Sequence, residues 1–469
     1  MRLSLFTAVC LCVGVIFSGN SLSADELPDI VVYFADDLSQ RDCSVYADRG
    51  VKTPALETLA SQGMTFTHAF VASPSCAPSR AALLTGLMPA RNGAEENHTF
   101  PHDDIDRLPR RLNELGYQTA AFGKVAHGSS APRFGFEVSE GAKDMPKLLQ
   151  NVTRFLEQRT DSRPLALFVG ISNPHVPWPN QSDIDPAQIA LPPTFVDTPR
   201  TRVQRSRYLQ EVADLDRLLG NLRSLTAKHL DDDPIFLFSS DHGAQFPLGK
   251  WTLYDEGTRV PLIVSWPGKI KPNSTTDAMV SWVDLLPTLI DLAGGDTLNE
   301  IDGRSFASVL RGETNSHREL IFTTHSGDRK MNVYPIRSVR DQRFKYIRNI
   351  HPEFAFTTHI DLLLRETSGD YFIEWKDLAK TDSGAAAALA RHHGRPAEEL
   401  YDLENDPYEQ NNLIGDPSLA SKQRQLTSAL DAWIDRQGDQ LTVFHEPLML
   451  DAPATWVPRQ ATKAKPKKK

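Results

Sequence analysis

Two stretches of this 469-residue chain place carboxylates directly after apolar runs. Asp36 and Asp37 close "DIVVYFADD", and Asp241-His242 close "PIFLFSSDHG". Adjacent carboxylates at a buried strand end repel one another unless something cationic sits there. A hard divalent cation with oxygen ligands is the usual remedy. Three carboxylates and one imidazole favour calcium, then magnesium, over zinc. Each pair alone also reads as a turn or cap. Lys124 and His127 follow a third run, His175 follows a fourth in "NPHVPW", and Lys250 lies in "FPLGKWTLYDEG". Singly these are ordinary surface lysines or satisfied histidines. Around a cation they suit a compact multivalent oxyanion, with lysines neutralising its oxygens and histidines moving protons.

A cysteine adds a nucleophile's position. In "SPSCAPSRAALLTG" (73–86), Pro78 fits the first turn of a helix and Thr85-Gly86 end it. Cys76 then sits at or just before a helix N-terminus, where free N–H groups favour an anion. Arg80 adds a positive charge one turn on. A bridge to Cys43 is the alternative, but it leaves Pro-Ser-Arg unexplained. A plain thiolate is a third reading, although it oxidises readily in a secreted setting.

These residues need a scaffold. The runs at 29–37, 119–127, 165–175, 234–243 and 260–268 have the length and apolar content of strands buried on both faces. Helical patterns alternate with them at 53–63 (a Thr53 cap, then Pro), 105–116, 207–225 and 282–295. That alternation predicts an α/β sandwich around a mostly parallel sheet. Sites in such sheets form at the carboxyl ends of the strands, where four of the runs deliver ionisable residues. After about Arg311 the texture changes to one or two alternating strands at 334–350, a turn-rich stretch at 397–417 and a helix beyond it. We expect a catalytic domain over 25–310, a smaller α+β domain over 311–450 and a tail over 451–469.

Bulk properties narrow the class. The chain is 40% hydrophobic and 24% charged, as ordinary globular proteins are. Its formal net charge of −9 argues against nucleic acid as a partner. The basic end "KAKPKKK" reads as a solvated terminus. Arg2, the apolar run 5–17 and small residues up to Ala24 predict a secretory signal over 1–24, too short for a comfortable membrane span. No stable membrane anchor is expected. Cys10 and Cys12 leave with the signal, so only Cys43 and Cys76 remain, too few for a disulfide scaffold. Asn97, Asn151, Asn180 and Asn273 head Asn-x-Ser/Thr sequences, relevant only in a glycosylating host.

"CAPSRAALLTG" (76–86) resembles the signature of the type I, formylglycine-dependent sulfatases, with every defining position matched. "ADDL", "GYQTAAFGKVAHG", "NPHVPW", "FSSDHG", "VPLIVSWPG" and "ELYDLENDPYEQNNL" follow the family's order across nearly the whole mature chain. The resemblance implies an alkaline-phosphatase-like sandwich and a C-terminal domain with an antiparallel sheet. It implies that Cys76 becomes formylglycine, whose hydrated gem-diol is the nucleophile. Asp36, Asp37, Asp241, His242 and the modified Cys76 would bind one calcium ion. Arg80 would hold the gem-diol, Lys124 and Lys250 the sulfate. His127 would assist proton transfer, and His175, with Lys250, would serve the leaving group.

His242 stands where most members carry asparagine or glutamine, and the Lys124-Val125-Ala126-His127 spacing is stretched; both resemble iduronate 2-sulfatase. "FPLGKWTLYDEG", "YPIRSVRDQRFKYIRN" and "RNGAEENHTFPHD" are similar instead to heparan N-sulfatase. By that analogy His98, His102, His325 and Arg337 would line a pocket for N-sulfoglucosamine. An O-sulfated glycosaminoglycan or algal polysaccharide is the alternative substrate. Phosphonate or phosphate monoester hydrolysis and a catalytically dead glycan-binding protein are the other readings. Implied partners are the sulfated saccharide and a formylglycine-generating enzyme, with a homodimer left open. The implied location is secreted or periplasmic, or lysosomal in an animal.

Overall fold

The computed structural model describes residues 27–456, apart from 143, 231–233 and 297. The predicted signal and the basic end of the tail lie outside the described residues. In chain order the strands are β1 (Ile30–Ala35), β2 (Met64–Phe66), β3 (Ala69–Phe70), β4 (Gln118–Gly123), β5 (Val138–Glu140), β6 (Leu165–Gly170) and β7 (Ile235–Ser240). They continue with β8 (Leu262–Ser265), β9 (Ser274–Thr276), β10 (Val280–Ser281), β11 (Ile321–His325), β12 (Ile336–Arg340), β13 (Phe344–Asn349) and β14 (Glu398–Asp402).

One sheet has eight strands in the order β5-β4-β6-β1-β7-β8-β2-β9. β1 is central, pairing in parallel with β6 and β7, so that Val32 lies opposite Phe168 and Leu237. Its side chains alternate between two apolar clusters. Val31, Tyr33 and Ala35 pack with Leu56 and Leu59 of helix Pro54–Ser61 and with Tyr208, Leu209 and Val212 of helix Pro199–His229. Ile30, Val32 and Phe34 pack with Leu285, Leu286 and Leu289 of helix Leu285–Leu292. Helices on both faces explain why β1, β6 and β7 read as unbroken apolar runs. Each fully buried side chain of this kind contributes roughly 1.5–3 kcal/mol.

Three local expectations change. β8 runs antiparallel to β7, because an apolar run records burial and not direction. Thr53 precedes its helix but makes no side-chain cap; Asp216 instead accepts the N–H groups of Ala55 and Leu56, both at 2.9 Å. The long helix begins at Pro199 rather than near 207, where Thr198 caps it. Cys43 and Cys76 are both free and buried, so no bridge joins them. Asn97 and Asn151 are buried, which removes them as glycan acceptors; Asn180 and Asn273 are exposed.

β3 and β10 form a small parallel pair. The second large sheet is antiparallel, in the order β11-β12-β13-β14. Helix Ala420–Gln437 covers it, with Trp433 stacked on Phe322 at 4.9 Å. Val339, Tyr346 and Leu400 share a cluster with Ala72, Ala82, Met88 and Val283. The second sheet thus packs against the helix that begins at Cys76. Among the described residues no helix is long and apolar enough to cross a membrane.

Candidate active site

Strands β4, β6, β1 and β7 are consecutive in the sheet, and their carboxyl ends carry Lys124, His175, Asp36-Asp37 and Asp241-His242. Two glycines let these ends close together. A Cβ on Gly170 would lie 2.1 Å from the Lys124 backbone, and one on Gly243 would lie 1.7 Å from the Glu256 carbonyl oxygen. Asp37 takes a left-handed backbone (φ 68°), unusual for a non-glycine residue and typical of functional turns. Its N–H donates to Asp241 Oδ1 at 3.2 Å.

Cys76 opens the helix Cys76–Thr85, all ten of whose residues are buried. Ser79 Oγ donates to the Asp241 carbonyl at 2.6 Å, locking the helix to the end of β7. Around the Cys76 Sγ lie His242 Nε2 at 3.3 Å, Lys124 Nζ at 3.5 Å, and Lys250 Nζ and Asp36 Oδ1 at 3.6 Å. Lys124 pairs with Asp36, Lys250 Nζ reaches Asp37 Oδ1 at 2.8 Å, and Arg80 Nε reaches Asp241 Oδ2 at 2.9 Å. Arg80 also donates to the carbonyl of Lys124.

Charge shapes every group here. Burial pushes the Cys76 thiol up, but Lys124 and Lys250 pull harder and hold it well below its ordinary value. Burial likewise opposes ionisation of Asp36, and Lys124, His175 and Arg80 override it. Burial, opposed by Arg80 and helped by Asp36, pushes Asp241 up. Burial pushes His242 down, yet Asp241 and Cys76 raise it to about 9. Burial lowers His175, whereas Lys250 is raised by Asp37 against its own burial.

The cluster fits a hard cation. One ligand atom each from Asp36, Asp37, Cys76 and His242 lies within 4.8 Å of the others. Asp37 Oδ2 is buried with no hydrogen-bond partner, an expensive state for a carboxylate oxygen unless a cation meets it. His242 Nδ1 donates to the Gly243 carbonyl at 3.0 Å, which leaves the Nε2 lone pair toward the cluster. The negative field that favours a proton on His242 would equally favour a metal ion. Asp241 stands beside this group, 3.6 Å from His242 Nε2, with its oxygens engaged by Arg80 and the Asp37 N–H.

The remaining expected residues spread outward. His175 is half-buried and its Nδ1 donates to the Val176 carbonyl, which leaves Nε2 open. His127 Nε2 and His98 Nδ1 are 2.6 Å apart. His102 is exposed and its ring covers Gly93. His325 is buried, with Nε2 at 2.7 Å from Asn332 Oδ1. Arg337 is buried and committed to Asp439 and to the carbonyls of His325 and Ile336. Sequence reasoning missed Asn97, Trp251 and Asp328. Asn97 Oδ1 accepts the Ala77 N–H at 3.1 Å, so it caps the Cys76 helix. Its place next to His98 was the available signal; Asp328 had none.

Known proteins resemble this chain over most of its length. The family model "Sulfatase" matches residues 28–295, and "N-sulphoglucosamine sulphohydrolase, C-terminal" matches residues 244–361. An ulvan-active sulfatase of Formosa agariphila is 32% identical over 446 residues, spanning 90% of this chain and 83% of its own. Human N-sulphoglucosamine sulphohydrolase is 29% identical over 443 residues, spanning 84% and 87%. A solved structure in complex with its substrate D-glucosamine-2-N,6-O-disulfate superposes with a TM-score of 0.68 at 20% identity, covering 90% of this chain and 100% of that one. That likeness establishes the fold, an alkaline-phosphatase-like sandwich with a second, antiparallel sheet. With the family model covering more than half of the sequence, the chain belongs to the sulfatase family and is a hydrolase that cleaves sulfate esters.

Proposed function

We propose that this sulfatase releases sulfate from a sulfated saccharide, with the N-sulfate of glucosamine as its preferred target. It works through a formylglycine made from Cys76 and one bound calcium ion. The observation that carries this reading is the Cys76 Sγ, at a buried helix N-terminus within 3.6 Å of two lysines, a histidine and an aspartate. A compact anion placed there meets fixed positive charge.

Formylglycine, once made and hydrated, would supply a geminal diol as the nucleophile toward sulfur. Asp36, Asp37, Asp241, His242 and residue 76 would hold calcium, which would supply positive charge against the sulfate oxygens and the nucleophile. Arg80 fixes the position of residue 76 and of the carboxylates. Lys124 and Lys250, now on Asp36 and Asp37, turn their ammonium groups to the sulfate. His127 takes the proton of the second hydroxyl. The departing sugar atom takes one proton, from Lys250 or from His175. Against its burial, Asp37 raises Lys250, while burial lowers His175, which favours Lys250 as the donor with His175 beside it. His98 and His102, both exposed, are free to meet the sugar, whereas His325 and Arg337 are buried and could act on it only through their neighbours.

The choice of N-sulfate is supported by the match over residues 244–361 and by the human relative. The Formosa relative supports a second reading, an O-sulfate on an algal polysaccharide. The predicted signal supports an extracytoplasmic location, secreted, periplasmic or, in an animal, lysosomal, and conversion by a formylglycine-generating enzyme. Mass spectrometry of the Cys76 peptide from a converting host should show the aldehyde. Converted enzyme should then release sulfate from N-sulfoglucosamine faster than from O-sulfated disaccharides, and should lose activity to a calcium chelator. An unconverted peptide in fully active enzyme would sink the mechanism; faster O-sulfate release would move the substrate to the second reading.

A further inference from the structure

Asp328 follows β11 in the second sheet, yet it holds three parts of the first sheet's site. It is 2% exposed, and no lysine or arginine pairs with it among the described residues. Oδ2 accepts from Trp251 Nε1 at 2.8 Å and from Asn97 Nδ2 at 2.9 Å. Oδ1 lies 3.3 Å from His98 Nε2. Trp251 adjoins Lys250, and Asn97 caps the Cys76 helix. The backbone reinforces the link: the Asn97 N–H donates to the Gly327 carbonyl at 3.0 Å, and the Arg329 N–H donates to Glu96 Oε1 at 2.6 Å. His98 takes a left-handed backbone (φ 70°), strain that surrounding contacts must hold in place.

Proton counting along this chain of groups leaves one arrangement for two neutral rings. His98 Nε2 faces this carboxylate as an ion-pair contact, and a carboxylate only accepts, which places the His98 proton on Nε2. His98 Nδ1 is then an acceptor, and His127 Nε2, 2.6 Å away, must donate to it. His127 is thereby fixed with a bare Nδ1, and that atom is buried with no hydrogen-bond partner. We infer that Asp328 is a positioning residue, acting through His98 to present His127 Nδ1 as the proton acceptor of the site. The inference rests on the role given to His127 above. Asp328, His98 and His127 form a relay in which only the last ring moves a proton; the others set its tautomer and angle.

The test uses full-length enzyme with conversion of residue 76 confirmed by mass spectrometry and turnover of an aryl sulfate. Asp328→Asn and His98→Leu should each lower kcat about 10- to 100-fold, with KM changed by less than about threefold. His98→Gln, whose amide can both donate to Asp328 and accept from His127, should recover most of the loss. The 15N spectrum of histidine-labelled wild type should show His127 protonated on Nε2. If Asp328→Asn fails to fold, His98→Leu on the partly exposed ring carries the kinetic test. Unchanged kcat in a folded variant, a loss His98→Gln does not repair, or His127 protonated on Nδ1 in the wild type would overturn the inference. Converted wild type without sulfatase activity would instead overturn the proposed function, while the tautomer would still be readable.

Discussion

Two of the buried clusters of opposite charges among the described residues differ in their hydrogen bonding. At the junction of the sheets, Asp255, Arg340, Lys345 and Glu409 are all buried. Both Asp255 oxygens are engaged by Arg340, at 2.9 and 3.1 Å, and Lys345 bridges Asp255 and Glu409 at 2.5 and 2.8 Å. The second Glu409 oxygen accepts the Asp255 N–H at 2.6 Å. No side-chain atom of these four is left without a partner. At the carboxyl edge of the large sheet, by contrast, Asp37 Oδ2 and His127 Nδ1 are buried without a hydrogen bond, as is Arg80 Nη2, whose nearest charge is Asp36 Oδ1 at 3.7 Å. Buried polar atoms are normally satisfied, so bare atoms gathered around a carboxylate and nucleophile cluster are consistent with a ligand there. One cluster is satisfied by the chain itself; the other is not.

That contrast can be broken by experiment. Cys76→Ala removes the side chain proposed as the nucleophile's precursor from the open cluster and should lower turnover by roughly 10³-fold or more. Its thermal unfolding midpoint should stay close to that of the wild type, and a large drop would mean that this cluster also carries the fold. Lys345→Ala does the reverse. It strands Asp255 and Glu409 in the interior and should cost about 3–5 kcal/mol, read by denaturant unfolding, with turnover per folded molecule retained. The smallest effect is on acid stability. Glu256, the residue after Asp255, is ion-paired to Arg49 at 2.8 Å and Arg41 at 3.1 Å. Against its burial, Arg49 and Arg41 lower it to about 2 from the ordinary 4.5. A depressed carboxyl stabilises the fold above its unfolded value and loses that contribution as pH falls. Glu256→Gln should therefore flatten the stability curve between about pH 4.5 and 2, a change of order 3 kcal/mol at most. An unchanged acid limb would show that the ion pair is too well solvated to matter.

Much of the candidate site's placement was legible in the sequence because its signals are local. A buried parallel strand writes itself as an unbroken apolar run, and the polar residue that ends the run is the one the sheet delivers. Asp36, Lys124 and Asp241 follow that rule, and Cys76 followed from the proline and glycine punctuation of its helix. What was illegible depends on distant pairs. Thr53 looked like a cap, but Asp216, 161 positions from Ala55, took the role. Asn97 looked like a glycan acceptor, and it is a buried cap tied to Asp328, 231 positions away. Arg337 reads as an available guanidinium until Asp439 is seen to hold it, 102 positions on. No propensity or spacing announces such a pairing.

The depth of residue 76 also constrains biosynthesis. The side chain is 2% exposed, at the head of a helix that has no exposed residue and is packed between two sheets. Another enzyme's catalytic centre cannot reach it there. If Cys76 is to be converted, the conversion must come while the chain is still extended, ahead of the helix's docking. Under the proposed mechanism, order of events would then decide specific activity: a batch folded before oxidation would be inert however native it looks.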